Sequence, residues 1–270
     1  MPIWAGGKAM ILRGSVFSRT LEMETGLSII APEGSQDGNP FKVAYLLHGL
    51  CGRSGDWADY TMLPLYARDY RVVFVMPEVG RSFYTDMKYG QKFFRYVSEE
   101  LPEICNSVLH ISADRENAAV IGASMGGYGA LKCALSKPER YGFCCAFSSP
   151  CLFLKEGLEV QRAMGETEEF RSFYGEQLFR DFQGIFGDRL EWRPENDILE
   201  LAKRIMGHSA IPSVYLACGT EDRFYVENRR FCEEIGKLGI GFTYEEWPGS
   251  HDWVFFNEAL KRSLEWCFGG

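Results

Sequence analysis

Positive charge is in short supply in this chain of 270 residues: 29 lysines and arginines face 37 aspartates and glutamates, a formal net charge of −8. Such a surface repels phosphate backbones and anionic headgroups, so neither nucleic acid nor a membrane is an expected partner. Long apolar runs are lacking as well. No segment approaches the roughly 20 residues of a membrane span. The opening MPIWAGGKAMILRGSVFSRTLEMETGLSII is broken by charges and glycines, leaving no apolar centre for a secretory leader. There is no Cys-x-x-Cys pair. The nine cysteines, an odd number, are scattered through apparent strands and helices, which excludes a disulfide framework and points to a reducing cytoplasm. Cys144 and Cys145 are neighbours that a strand would turn to opposite faces, so neither metal nor cofactor is implied. Repeats, low-complexity tracts and Pro/Ser-rich linkers are missing too, and residues 1–270 read as a single domain.

What is present is an alternation of short apolar runs and helical periods. Residues 8 to 30 suggest an antiparallel start with a turn near Ser18 to Thr20. The runs VAYLL (43–47), RVVFVM (71–76), AAVIG (118–122), GFCCAFSS (142–149) and SVYLACG (213–219) read as strands buried on both faces. Between them, Phe94, Val97, Leu101, Ile104 and Val108 share one helical face, with Pro102 expected to kink the helix. Phe224, Asn228, Phe231, Cys232, Ile235 and Leu238 form a second helix that Gly239 stops, and Phe256, Leu260, Leu264 and Cys267 form a last one. The alternation predicts a mostly parallel, doubly wound sheet covered on both sides. Residues 150–207 break the rhythm. They carry Phe153, Phe170, Phe173, Tyr174, Phe179, Phe182, Phe186 and Trp192 without a clear strand, and read as a cap-like insertion over the sheet.

Gly122-Ala123-Ser124-Met125-Gly126 lies between a buried strand and a helix that Pro138 stops. Chance can produce the five letters, but the strand–turn–helix setting is that of a nucleophile elbow, where small neighbours let the chain reverse and hold the serine hydroxyl clear. A serine attacks a carbonyl only when a base takes its proton, and histidine has the suitable pKa. Of four histidines, His251 alone follows the last strand-like run, GFTYEEW (241–247). His110 and His208 fit surface or packing roles. The carboxylate that orients the base is expected after SVYLACG. Asp222 is the choice, with Glu221 the near alternative, while Asp252 fits the cap of the last helix. The oxyanion needs two backbone N–H donors. Met125 follows the nucleophile, and Leu50 lies in the loop His48-Gly49-Leu50-Cys51-Gly52 after VAYLL. His48 is expected to shape that loop, and Cys51 is the rival nucleophile.

At these residues the sequence resembles the esterase D-like branch of the α/β-hydrolases, which includes tributyrin esterases, feruloyl esterases, S-formylglutathione hydrolases and mycolyl acyltransferases. The resemblance rests on YLLHGLCG, on MPEVGRSFYTDMKYG followed by SEELP, on GASMGGYGAL, on CGTEDRFY and on GSHDWVFF, in that order. It implies a Ser124–Asp222–His251 triad, an oxyanion hole at Leu50 and Met125, and a loop at Arg81 to Asp86 bordering the site. Relatives of the S-formylglutathione type carry Ser-Gly-Leu-Thr-Cys where this chain reads His-Gly-Leu-Cys-Gly, which argues against that substrate.

The expected activity is therefore hydrolysis of a small soluble ester, with a short acyl or hydroxycinnamoyl group, through an acyl-enzyme and without a cofactor. Rival readings are an S-formylglutathione hydrolase or an acyltransferase of the same family and, from another class, a catalytically silent binding protein. The oligomeric state is left open, a homo-oligomer included.

Overall fold

The computed structural model of the chain describes residues 9–34, 38–164, 167, 168, 172 and 175–269. Among them eight strands form one sheet: β1 (Ala9–Ser18), β2 (Met23–Pro32), β3 (Lys42–Leu47), β4 (Val72–Pro77), β5 (Ala118–Ala123), β6 (Phe143–Phe147), β7 (Ser213–Gly219) and β8 (Phe242–Trp247). Their spatial order is β1-β2-β4-β3-β5-β6-β7-β8. β1 and β2 form an antiparallel hairpin, and β2 runs antiparallel to β4. Every later neighbour pair is parallel. Parallel neighbours require crossovers, and helices supply them.

The apolar runs do not alternate because both faces of the sheet are covered. In β3, Val43, Tyr45 and Leu47 enter one core with the helix Met125–Ser136, while Ala44 and Leu46 enter the other with Leu63–Tyr70 and Trp253–Phe268. β1 differs. Met10, Ile11, Leu12 and Phe17 are exposed on this edge strand.

The helix around Pro102 departs from expectation. A short turn, Phe93–Arg95, leads into a π-helical turn, Tyr96–Glu100, before the α-helix Leu101–Val108. Proline has no N–H to donate four residues back, and its ring crowds that carbonyl. The chain responds with a wider turn, in which Leu101 N–H bonds to Tyr96 O. One extra residue shifts the helical phase. Val97, Leu101 and Cys105 face the core, Ile104 is only half-buried, and Val108 is 69% exposed. The same turn aims Glu100 at the first hairpin, where its carboxylate accepts from Ser18 Oγ (2.5 Å), Arg19 N–H (2.7 Å) and Thr20 N–H (3.1 Å).

Between β6 and β7 the described residues form the helices Leu154–Met164, Glu176–Phe186 and Ile198–Arg204. Phe179, Phe182 and Phe186 are buried in the core, and Phe153 and Trp192 are half-buried against it. Phe170, Phe173 and Tyr174 lie outside the described residues. No helix among the described residues is long and apolar enough to cross a membrane.

Candidate active site

β5 ends at Ala123, and the helix Met125–Ser136 begins two residues later. Ser124 is the whole of the reversal. Its backbone is held at φ 55°, ψ −126°, a region that side-chain-bearing residues rarely adopt. Two glycines make this turn feasible. A Cβ at Gly122 would overlap the Gly126 carbonyl, and one at Gly126 would overlap Leu47 O. Ser124 N–H donates to Phe147 O at 2.9 Å, fixing the elbow to β6. The serine is half-buried, and its hydroxyl makes no hydrogen bond among the described residues.

Asp222 and His251 meet directly. His251 Nδ1 lies 2.8 Å from Asp222 Oδ2, across the loops that follow β7 and β8. Phe224 N–H donates to Asp222 Oδ1 at 2.8 Å. Burial pushes the Asp222 carboxyl up, but the bond and charge of His251 and the N–H of Phe224 outweigh it, so its pKa is lowered. The hydroxyl of Ser148 adds to this. Ser148 is fully buried at the end of β6 with φ 48°; its Oγ meets no partner at hydrogen-bond geometry, yet it favours the charged form of Asp222. The imidazole stands edge-on between Phe224 and Phe256, with centroids 5.3 and 5.2 Å away. Glu221 is exposed, and it is Asp222 that meets His251. Asp252 caps the last helix by accepting from Phe255 N–H at 3.0 Å.

Against Ser124 lies the loop after β3. Gly49 packs against the serine Cβ, and the loop crosses the start of the helix Met125–Ser136. The first N–H groups of a helix have no partner within it. Neither Met125 N–H nor Leu50 N–H donates to another group among the described residues. His48 is buried and holds the loop: Nδ1 is 2.8 Å from Gly49 O, and Nε2 is 3.2 Å from Val79 N and 3.3 Å from Glu78 Oε1. A neutral ring with its proton on Nδ1 accepts from Val79; a protonated ring donates towards Glu78. Burial raises the Glu78 carboxyl, but His48 and the N–H groups of Gly80 and Ser54 overcome it and hold the pKa at about 2. Tyr84 O–H donates to His48 O at 2.9 Å, so the loop Arg81 to Asp86 buttresses this side.

His110 and His208 are exposed, and His110 bonds to Gly38 O. Cys51 is exposed with its sulfur 2.7 Å from Arg81 Nη1, a cation rather than a proton-accepting base. All nine cysteines are free thiols. No group of three or more His, Cys, Asp or Glu side chains among the described residues could hold a metal ion. Glu78 and Ser148 were not singled out from the sequence. Glu78 sat inside a quoted motif, and Ser148 gave no signal beyond following a buried strand.

Comparison with known proteins gives the family and the fold. The family described as "Putative esterase" matches residues 18–267. The acetyl esterase of Caldicellulosiruptor saccharolyticus is 29% identical over 271 residues, 95% of this chain and 97% of that one. Among solved structures, FphF, a fluorophosphonate-binding serine hydrolase of Staphylococcus aureus, superposes with a TM-score of 0.82 at 25% identity, covering 98% of this chain and 99% of that one. FrmB, an S-formylglutathione hydrolase of the same organism, gives 0.79 at 26% identity, covering 96% and 99%. The shared architecture is the α/β-hydrolase fold expected from the sequence.

Proposed function

The chain belongs to the esterase family, and from that premise we propose that it hydrolyses small carboxylic esters through an acyl-enzyme on Ser124. His251 Nε2 takes the hydroxyl proton as Ser124 Oγ attacks the carbonyl carbon. The carbonyl oxygen becomes an oxyanion, received by the N–H groups of Leu50 and Met125. The ester C–O bond then breaks, and His251 returns the proton to the departing alcohol. Water, deprotonated by His251, attacks the acyl carbon; the acid leaves and the proton goes back to Ser124. Asp222 stays ionised throughout, holding the ring with its Nδ1 proton inward.

The observation that carries this reading is the 2.8 Å contact of His251 Nδ1 with Asp222, which leaves Nε2 for proton transfer, together with the positive φ of Ser124 at the elbow. The full-length likeness to an acetyl esterase supports a short acyl group. Residues 150–207 we read as an insertion within one domain spanning 1–270, and the nine free thiols support a cytoplasmic setting. Turnover of p-nitrophenyl acetate tests the mechanism. Ser124→Ala is expected to lose about 10⁴-fold in kcat with an unchanged circular dichroism spectrum. Retention of a tenth of the activity sinks the assignment. A panel of acetyl, butyryl and feruloyl esters with S-formylglutathione then ranks the acyl and leaving groups.

A further inference from the structure

A cavity of about 730 Å³ opens beside the far half of the helix Met125–Ser136 and touches none of Ser124, His251 or Leu50. Its size is that of a small-molecule site. Its charge runs against the rest of the chain. Seven lysines and arginines line it against three carboxylates, an excess of four positive charges in a protein of formal charge −8.

Lys132 forms part of the wall. It is 1% exposed, and its ammonium donates to Thr85 Oγ1 at 3.0 Å and Asn196 Oδ1 at 2.8 Å, both neutral acceptors. An ammonium has three protons, and the third has no hydrogen-bond acceptor among the described residues; the Phe94 ring lies 4.8 Å from Nζ. Burial pulls its pKa down to about 7. A buried cation that no carboxylate contacts is costly unless something anionic compensates it. At the rim, the guanidinium groups of Arg95 and Arg204 are exposed and form no salt bridge among the described residues, and Lys92 Nζ reaches only Met87 O. Three other lining cations are paired: Lys137 with Glu99 at 2.6 Å, and Lys88 and Arg193 with Glu191 at 3.8 and 3.7 Å.

We propose that this cavity is a second binding site, separate from Ser124, for a small molecule carrying two or more phosphate or carboxylate groups. The rim arginines and Lys92 receive the outer anionic group, and Lys132 the inner one. Lys132 is eight residues from Ser124 along the chain, about 12 Å at a helical rise of 1.5 Å per residue, so the two sites are distinct.

The test is calorimetric titration of the full chain with sodium pyrophosphate and, in a second arm, citrate, each against sodium chloride at equal ionic strength. Saturable binding at one site is expected, with the stronger arm naming the anionic group. The rim double variant R95A/R204A should weaken it at least about tenfold, the scale of one lost charge-assisted hydrogen bond. Lys132→Met should abolish it; if that variant does not fold, R95A/R204A decides alone. Labelling of Ser124 with an organophosphonate should leave the affinity unchanged. Heat no greater than that of chloride, wild-type affinity in R95A/R204A, or loss of binding on labelling overturns the proposal.

Discussion

Two histidine–carboxylate pairs stand in the loops that follow the parallel strands, and their surroundings differ. His251 with Asp222 stands on the β7–β8 side; His48 with Glu78 stands on the β3–β4 side. Each has a carboxylate beside a ring nitrogen, and a count of residue types would not tell them apart. The difference lies in the second nitrogen. His48 has both nitrogens engaged by backbone or carboxylate and a side chain only 1% exposed. His251 has one nitrogen tied to Asp222 and an 18% exposed side chain. A ring with both nitrogens committed suits a brace; a ring with one left over suits the base proposed above.

Removing the carboxylate from each pair should separate these roles. The largest effect is expected for Asp222→Asn, a fall of about 10⁴-fold in kcat for p-nitrophenyl acetate, because the amide no longer selects the Nδ1–H tautomer. Its melting temperature should move little. Glu78→Gln should do the reverse: kcat within about threefold of wild type and a loss of about 1–2 kcal/mol in urea unfolding at pH 7. The sign follows from the depressed carboxyl. A pKa held at about 2, below the ordinary 4.5, gives stability fully present above pH 4.5 and lost as the pH falls towards 2. The gap between wild type and Glu78→Gln should therefore close over that range. If Glu78→Gln costs as much turnover as Asp222→Asn, the division between brace and base fails.

The smallest effect sharpens the catalytic pair alone. Ser148→Ala removes a hydroxyl that favours ionised Asp222. The Asp222 pKa should rise, so the acid limb of the kcat profile should move to higher pH while kcat at pH 8 falls only about twofold to fivefold. An unmoved acid limb would confine Ser148 to packing.

These pairs also mark how far the sequence could be read. The elbow was legible because Gly122 and Gly126 are dictated by backbone crowding, and crowding leaves its mark as glycine. The meeting of Asp222 with His251 was legible because parallel strands bring their following loops to one edge, so chain order becomes proximity. Glu78 was not singled out, since a buried brace has no residue pattern of its own. The helix at Pro102 shows a subtler loss. Proline announced a disturbance, but a kink and a π turn begin from the same residue. Only the π turn shifts the phase, burying Cys105 and exposing Val108. The basic cavity was hidden for another reason: its cations are spread from Lys88 to Arg204, and no window of sequence is basic.

The π turn has a further consequence, in the order in which the chain is made. The β1–β2 hairpin, with Met10, Ile11, Leu12 and Phe17 exposed, leaves the ribosome well before the carboxylate that ties down its turn, which belongs to Glu100, 82 residues after Ser18. At about 5–20 residues per second, the hairpin waits about 4–16 s for its lock. In that interval its turn is untied and its outer strand is an apolar edge, the form in which a nascent chain is open to mispairing. Pro102, by forcing the wide turn that aims Glu100, ends that wait by tying down the turn of the hairpin.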